Sequence, residues 1–234
     1  MEVRPSPSTP ALVLSLHPMS ILRLTLLRHG RSLADDLQVH EGRYDAPLTE
    51  QGLAQARARL EAFRAQNLCF DRVISSPLQR ARAVAEVMSQ GLGVPLELDP
   101  DWMEQDNGAI AGLSFEEGAR RFPESFRNPY EKPFGGTGES EWETYSRAAR
   151  AVQNLVNRGA GSYLVVAHGK ILNCALRVIM GIPPSPKEQG IWFSFADLGY
   201  AVLEYQPSRH IWRLDGFEMG FNTLANPLEV APPA

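Results

Sequence analysis

The 234-residue chain is long enough for one large α/β domain or two small ones, and it can bury a sizeable core. Hydrophobic residues make up 44% and charged residues 21%, and 27 acidic against 23 basic side chains give a formal net charge of −4, so the basic excess of a nucleic-acid binder is missing. Cys69 and Cys174 lie apart without disulfide or metal-ligand spacing, and no apolar run approaches the roughly 18 residues that span a bilayer, so a reducing cytoplasm is the expected compartment.

The opening stretch, MEVRPSPSTPALVLSLHPMS, carries a short apolar patch. No clustered basic region precedes it and no A-x-A-like cleavage site follows it, so residues 1–20 read as a Pro- and Ser-rich disordered tail, with order starting near Ile21. Ile21–Leu27 alternates Leu22, Leu24 and Leu26 with Arg23 and Thr25, which predicts a strand. Thr49 then caps a helix to about Gln66 with Leu53, Ala56, Leu60 and Phe63 inward. A second strand, Asp71–Ser75, leads into a helix with Ser76 as N-cap, Pro77 at its first position and Gly91 at its end. A third short strand, Pro95–Leu98, follows.

Residues 99–138 are loop-rich, with one short helix in SFEEGARRF, and read as a cap over one end of the domain. Ser140 and Glu143 form a capping box for a helix to about Asn157, predicted to turn Trp142, Tyr145, Ala149, Val152 and Val156 inward. Ser162–Ala167 is a continuous apolar strand of the kind buried on both faces. A helix runs from His168 to Gly181, Trp192, Phe193 and Phe195 are expected in the core or at a dimer contact, and GYAVLEYQ and HIWRL close the chain as a hairpin. Strands alternating with helices predict an α/β fold, a three-layer α/β/α sandwich on a mostly parallel sheet, as one domain over 21–222 with a tail at 223–234.

Two strands end alike. LTLLRHGRS delivers Arg28, His29 and Gly30 into a turn, and VVAHGK delivers His168 and Gly169 at a helix start. Between them, SSPLQRARA places Arg80 after a strand, and WMEQDNGAIAG places Glu104 in a glycine-containing loop. Taken singly, each is as well read as a surface histidine, a solvated arginine or an acidic loop. Brought together, they hold the parts of phosphoryl transfer. Guanidiniums and helix N-termini bind phosphate oxygens, a neutral imidazole attacks phosphorus, and a carboxyl group protonates the leaving oxygen. His17, His40 and His210 read as tail, loop and strand-edge residues, and Lys170 as a helix-start residue near the rim.

The ordered set RHG, GRYDAPLTEQG (Gly42–Gly52), SSPLQRA, the Glu104 loop, GES (Gly138–Ser140) and AHGK resembles the histidine phosphatase superfamily, the phosphoglycerate mutase-like fold. The LEY strand (Leu203–Tyr205) followed by a Trp-bearing strand is similar to the phosphatase branch. The resemblance implies His29 as the phosphorylated nucleophile, with Arg28, Arg80, His168 and the Gly169 N–H on the phosphoryl oxygens. It implies Glu104 as proton donor, no metal or organic cofactor, and a small phosphorylated metabolite as substrate, with a homodimer as the default for soluble enzymes. Arg31 stands where the family usually has Glu or Gln, Ala111 stands at its second acidic position after the Glu loop, and Asp35 stands where it often has Asn. Asp35 is therefore expected to turn away from the phosphate, to pair with Arg31 or Arg43, or not to be the true equivalent. Leu33–Asp36 reads LADD rather than the Trp-Asn of cofactor-dependent mutases, which favours hydrolysis; the alternatives are a mutase and a non-catalytic phosphate-binding protein.

Overall fold

The computed structural model describes residues 21–123, 128–185 and 190–221. The two predicted tails lie outside these residues. Among the described residues six strands form one sheet in the order β3-β2-β4-β1-β5-β6. They are β1 (Leu22–Arg28), β2 (Arg72–Ser75), β3 (Leu96–Leu98), β4 (Gly161–Ala167), β5 (Tyr200–Gln206) and β6 (Ile211–Glu218). β3, β2, β4 and β1 run parallel; β5 is antiparallel to β1, and β6 to β5.

The central strands are buried on both sides because they alternate apolar side chains toward two separate cores. Leu22, Leu24 and Leu26 of β1 join Tyr163, Val165 and Ala167 of β4 in one core, covered by α5 (Glu141–Arg158) and α6 (Gly169–Ile179). Leu27, Leu164 and Val166 point the other way and meet Phe63, Val84 and Met88 of α2 (Glu50–Ala65) and α3 (Gln79–Leu92). The result is the expected α/β/α sandwich with a mostly parallel sheet.

Three local expectations fail for identifiable reasons. Leu78, not Ser76, is the N-cap of α3, and the helix runs on to Leu92 with Gly93 as its left-handed cap. Ser76 is instead drawn into the strand-end cluster described below. A short helix α1 (Leu33–Leu37) was not foreseen; Ser32 and Asp35 cap it reciprocally. On α5 only Val152 of the predicted inward set is buried; the buried face is Glu141, Thr144, Arg147, Ala148, Ala151, Val152 and Leu155. Its first half packs through ion pairs rather than apolar contact, while Trp142, half-buried, lies between Tyr130 and Tyr145. The remaining helix, α4 (Phe115–Arg121), starts at Ser114 and lies in the predicted cap. Phe195 is in the core at 6% exposure, but Trp192 is half exposed, its ring 5.4 Å from the Lys170 ammonium. Among the described residues no helix is long and apolar enough to cross a membrane.

Candidate active site

Strand register brings the two His-Gly sequences together. Arg28 of β1 pairs with Ala167 of β4, so His29 and His168 are the next residue on adjacent parallel strands. Ser75 of β2 pairs with Val166, which brings Ser76 to the same edge. The His29 N–H donates to the Ala167 carbonyl at 3.0 Å and the Ser76 N–H to the Val166 carbonyl at 3.1 Å, closing the three strand ends against each other. This is the carboxyl edge of the sheet, where ligands of open α/β folds bind. The two imidazole rings meet edge to face with centroids 5.1 Å apart.

The His29 tautomer follows from its partners. Its Nδ1 lies 2.7 Å from the Gly30 carbonyl, which can only accept, so Nδ1 carries the hydrogen. Nε2 is left with its lone pair and accepts from Arg80 Nε at 3.3 Å. Burial, followed by the charges of Arg80 and Arg28, drives the His29 pKa well below its ordinary value. The imidazole is therefore neutral at physiological pH, with its lone pair on Nε2. Gly30 has no room for a side chain: a Cβ there would sit 2.7 Å from Leu198 Cδ2 and 3.0 Å from the Gly52 carbonyl.

His168 is likewise fully buried and neutral, its pKa lowered first by desolvation and then by Arg80, His29, Arg28 and Arg147. Its Nε2 is 2.8 Å from Ser76 Oγ. Its Nδ1 has no hydrogen-bond partner among the described residues, an unusual state for a buried polar atom that fits a site built for a ligand. The next residue, Gly169, opens α6, and the space where its side chain would be is empty out to 4 Å. Arg80 is completely buried. Besides His29 it holds the Gly42 carbonyl at 2.8 Å and the Tyr44 carbonyl at 3.1 Å. Arg28 donates one N–H to the Phe195 carbonyl at 2.9 Å, and its Nη1 is 3.9 Å from the Asp197 carboxylate. Its other nitrogens have no protein partner among the described residues.

Glu104 meets this cluster through α6. Its carboxylate accepts from the N–H groups of Gln105, Lys170 and Ile171 at 2.9 to 3.1 Å. It thus caps the helix that begins after His168, at the positive end of the helix dipole. The loop carrying it is clamped by Arg147, which donates to the carbonyls of Asp101, Met103 and Glu104 and grips the Glu139 carboxylate with two nitrogens. Burial would raise the Glu139 pKa, but Arg147, the Asp106 N–H and Arg43 outweigh it and hold the carboxyl below its ordinary value.

Several members of this cluster were not singled out from sequence: Glu41, Gln55, Ser76, Glu139 and Arg147. Gln55 accepts from the Arg31 N–H and donates to Asp197, tying the turn after His29 to the loop before β5. Glu139 and Ser140 carry the GES signal, but nothing in the spacing marks Arg147 as its partner. Asp35 pairs with neither Arg31 nor Arg43. It caps α1 through Ser32, while Arg31 pairs with Asp36 and Arg43 with Glu139. Lys170 is a helix-start residue as expected, its ammonium 3.2 Å from Glu141. Among the described residues no group of His, Cys, Asp or Glu is placed to hold a metal.

The comparisons with known proteins agree with this geometry. A sequence profile of the histidine phosphatase superfamily (branch 1) matches residues 24–217. A probable phosphoglycerate mutase, GpmB of Yersinia pestis, is 32% identical over 169 residues, covering 70% of this chain and 77% of that protein. Among solved structures, a mycobacterial glucosyl-3-phosphoglycerate phosphatase bound to VO3 superposes with a TM-score of 0.70 at 22% identity, over 84% of this chain and 98% of the other. A phosphoserine phosphatase from Entamoeba histolytica, in complex with 3-phosphoglyceric acid, gives a TM-score of 0.68 at 22% identity, over 84% and 96%. The paired strand-end histidines, the sheet order around them and the length of the matched segment lead to one assignment: the chain belongs to branch 1 of the histidine phosphatase superfamily.

Proposed function

We propose that this chain is a phosphatase that hydrolyses small phosphomonoesters through a phosphohistidine on His29. The observation that carries the reading is the neutral His29 imidazole, with Nδ1 tied to the Gly30 carbonyl and Nε2 presented beside Arg80. In the first step the Nε2 lone pair forms a bond to phosphorus as the ester P–O bond breaks, and the leaving oxygen takes a proton from Glu104, which must be protonated in the substrate complex although its resting carboxylate accepts three N–H groups. In the second, the Glu104 carboxylate takes a proton from the attacking water, the P–N bond breaks and inorganic phosphate departs. Arg28, Arg80, His168 Nδ1 and the Gly169 N–H stabilise the transferring group, with charge and positioning supplying the catalysis. Neither step calls for a metal or an organic cofactor.

The GpmB relative, named a probable mutase, supports a second reading in which the phosphoenzyme returns its phosphate to another hydroxyl of the same substrate. Hydrolysis is favoured because Leu33–Asp36, within the short helix α1, stands in place of the mutase Trp-Asn pair, and the named structural neighbours are phosphatases. The test is a panel of phosphomonoesters, with phosphoglycerates in the presence and absence of 2,3-bisphosphoglycerate, following free phosphate and isomer exchange. Phosphate release that disappears in His29→Ala is the expected result. Isomer exchange without release means a mutase, and neither activity with anion binding intact means a binding protein.

A further inference from the structure

We propose that Glu41 is an anion gate in the phosphoryl subsite: its carboxylate occupies the position of a phosphoryl oxygen in the resting protein and disfavours small phosphate anions. The proposal rests on the phosphoryl-transfer reading and deepens it. Glu41 Oε2 lies 3.7 Å from His29 Nε2, the atom assigned as nucleophile. Its Oε1 lies 3.4 Å from Arg80 Nε, the guanidinium assigned to bind phosphate. Reacting atoms in a productive complex approach to about 3–3.5 Å, so a phosphoryl group and this carboxylate compete for one place.

The surroundings make the carboxylate a resident anion and leave it able to move. Ser32 Oγ lies 2.5 Å from Glu41 Oε1 and 3.0 Å from Asp35 Oδ2, and a hydroxyl has one hydrogen to give. Two carboxylates therefore converge on one donor, and Asp35 already has the Ser32 N–H at 2.8 Å as well. The charged and titratable groups facing Glu41 are thus Arg80 from α3, His29 from the end of β1 and, across Ser32, Asp35 from α1. The Glu41 side chain keeps 17% of its surface exposed and precedes Gly42, so solvent is within reach when it swings out. An incoming phosphate dianion meets like charge unless Glu41 withdraws. Substrates that bring binding energy from the rest of the molecule can drive that withdrawal, whereas free phosphate, the product, cannot. Glu41 thereby selects for substituted esters and limits product inhibition.

The experiment measures binding of orthovanadate and inorganic phosphate to the wild type, Glu41→Gln and Ser32→Ala by calorimetry at neutral pH, with the KM for p-nitrophenyl phosphate alongside. Glu41→Gln keeps the shape and removes the charge, so affinity for both anions rises about ten-fold or more and KM falls in parallel. Ser32→Ala, which frees Glu41 from its hydroxyl, moves affinity the same way by less, and it serves if Glu41→Gln fails to fold. Unchanged or weaker anion binding in both variants overturns the gate. Anion binding is read without turnover, so the two readings fail separately. Tightened binding in a protein that releases no phosphate sinks the phosphatase and keeps the gate. Active protein with unchanged anion affinity sinks the gate alone, and a protein that binds neither anion in any variant overturns both.

Discussion

Replacing Arg147 with methionine tests how Glu104, the proposed proton donor, is positioned. Arg147 is 7% exposed and is the shared donor for the carbonyls of Asp101, Met103 and Glu104 and for both oxygens of Glu139. Removing one partner of a buried ion pair costs about 3–5 kcal/mol, and the lower end applies here because Glu139 keeps Arg43 and the Asp106 N–H. For a chain of this length each kcal/mol moves Tm by about 2–4 °C, so Arg147→Met lowers it by about 6–12 °C in scanning calorimetry. Catalysis should suffer selectively. His29, Arg80 and His168 are held by other contacts, so vanadate still binds. Glu104 loses the clamp on its own carbonyl, and a shift of about 1 Å in such a group costs about a hundred-fold in rate. The loss should be large for alkyl phosphates, whose leaving oxygen needs a proton, and small for an aryl phosphate with a stable phenolate. A Tm change below about 2 °C, or equal loss on both ester types, would refute the reasoning.

Two further outcomes follow from the same contacts. His29 and His168 both have pKa values held well below 6.5, so the unfolded chain binds protons that the folded chain refuses. Stability is complete above about 6.5 and falls on acidification by about 1.4 kcal/mol per pH unit for each histidine until its folded pKa is reached, so thermal melts from pH 7 to 5 should show a declining Tm whose slope shrinks in His168→Gln. Gly138 has φ of +77°, and a Cβ there would lie 2.2 Å from the Asp106 carbonyl and 2.6 Å from the Gly108 nitrogen. Gly138→Ala should therefore cost more than the roughly 1–2 kcal/mol of a left-handed alanine, read by urea titration, and should mimic Arg147→Met on alkyl phosphates by displacing Glu139.

The fold was legible where a segment's pattern answers to one demand. Tyr163–Ala167 is apolar throughout because both faces of β4 are covered, and that pattern predicts a central strand directly. It fails where a helix serves chemistry. α5 buries Glu141, Thr144 and Arg147 because Lys170 and Arg177, the Ser140 carbonyl and Glu139 partner them, so an apolar stripe points to the wrong face. Ser76 looks like a helix cap because serine before proline usually is one; its Oγ does accept the Leu78 N–H at 3.2 Å, but the N-cap of α3 stands two residues later and the same oxygen lies 2.8 Å from His168 Nε2. The candidate nucleophile and its arginines were readable from short motifs at strand ends. Glu41 was not, because its meaning depends on Arg80 folding back onto the Gly42 and Tyr44 carbonyls. Arg59, at 2% exposure against Tyr200, Phe221 and the Glu218 carboxylate, was equally hidden within an amphipathic repeat.

The placement of β1 has a consequence for how the molecule is made. Among the described residues this strand has β4 and β5 as its only neighbours in the sheet, and both come from the last third of the chain. During synthesis its edges wait for partners until residues near 206 have left the ribosome, a long-range closure of the kind that slows folding and exposes nascent chains to aggregation. The histidine at its tip gains a shaped environment only then, so a prematurely terminated product carries the motif without the paired histidines and buried Arg80 around it.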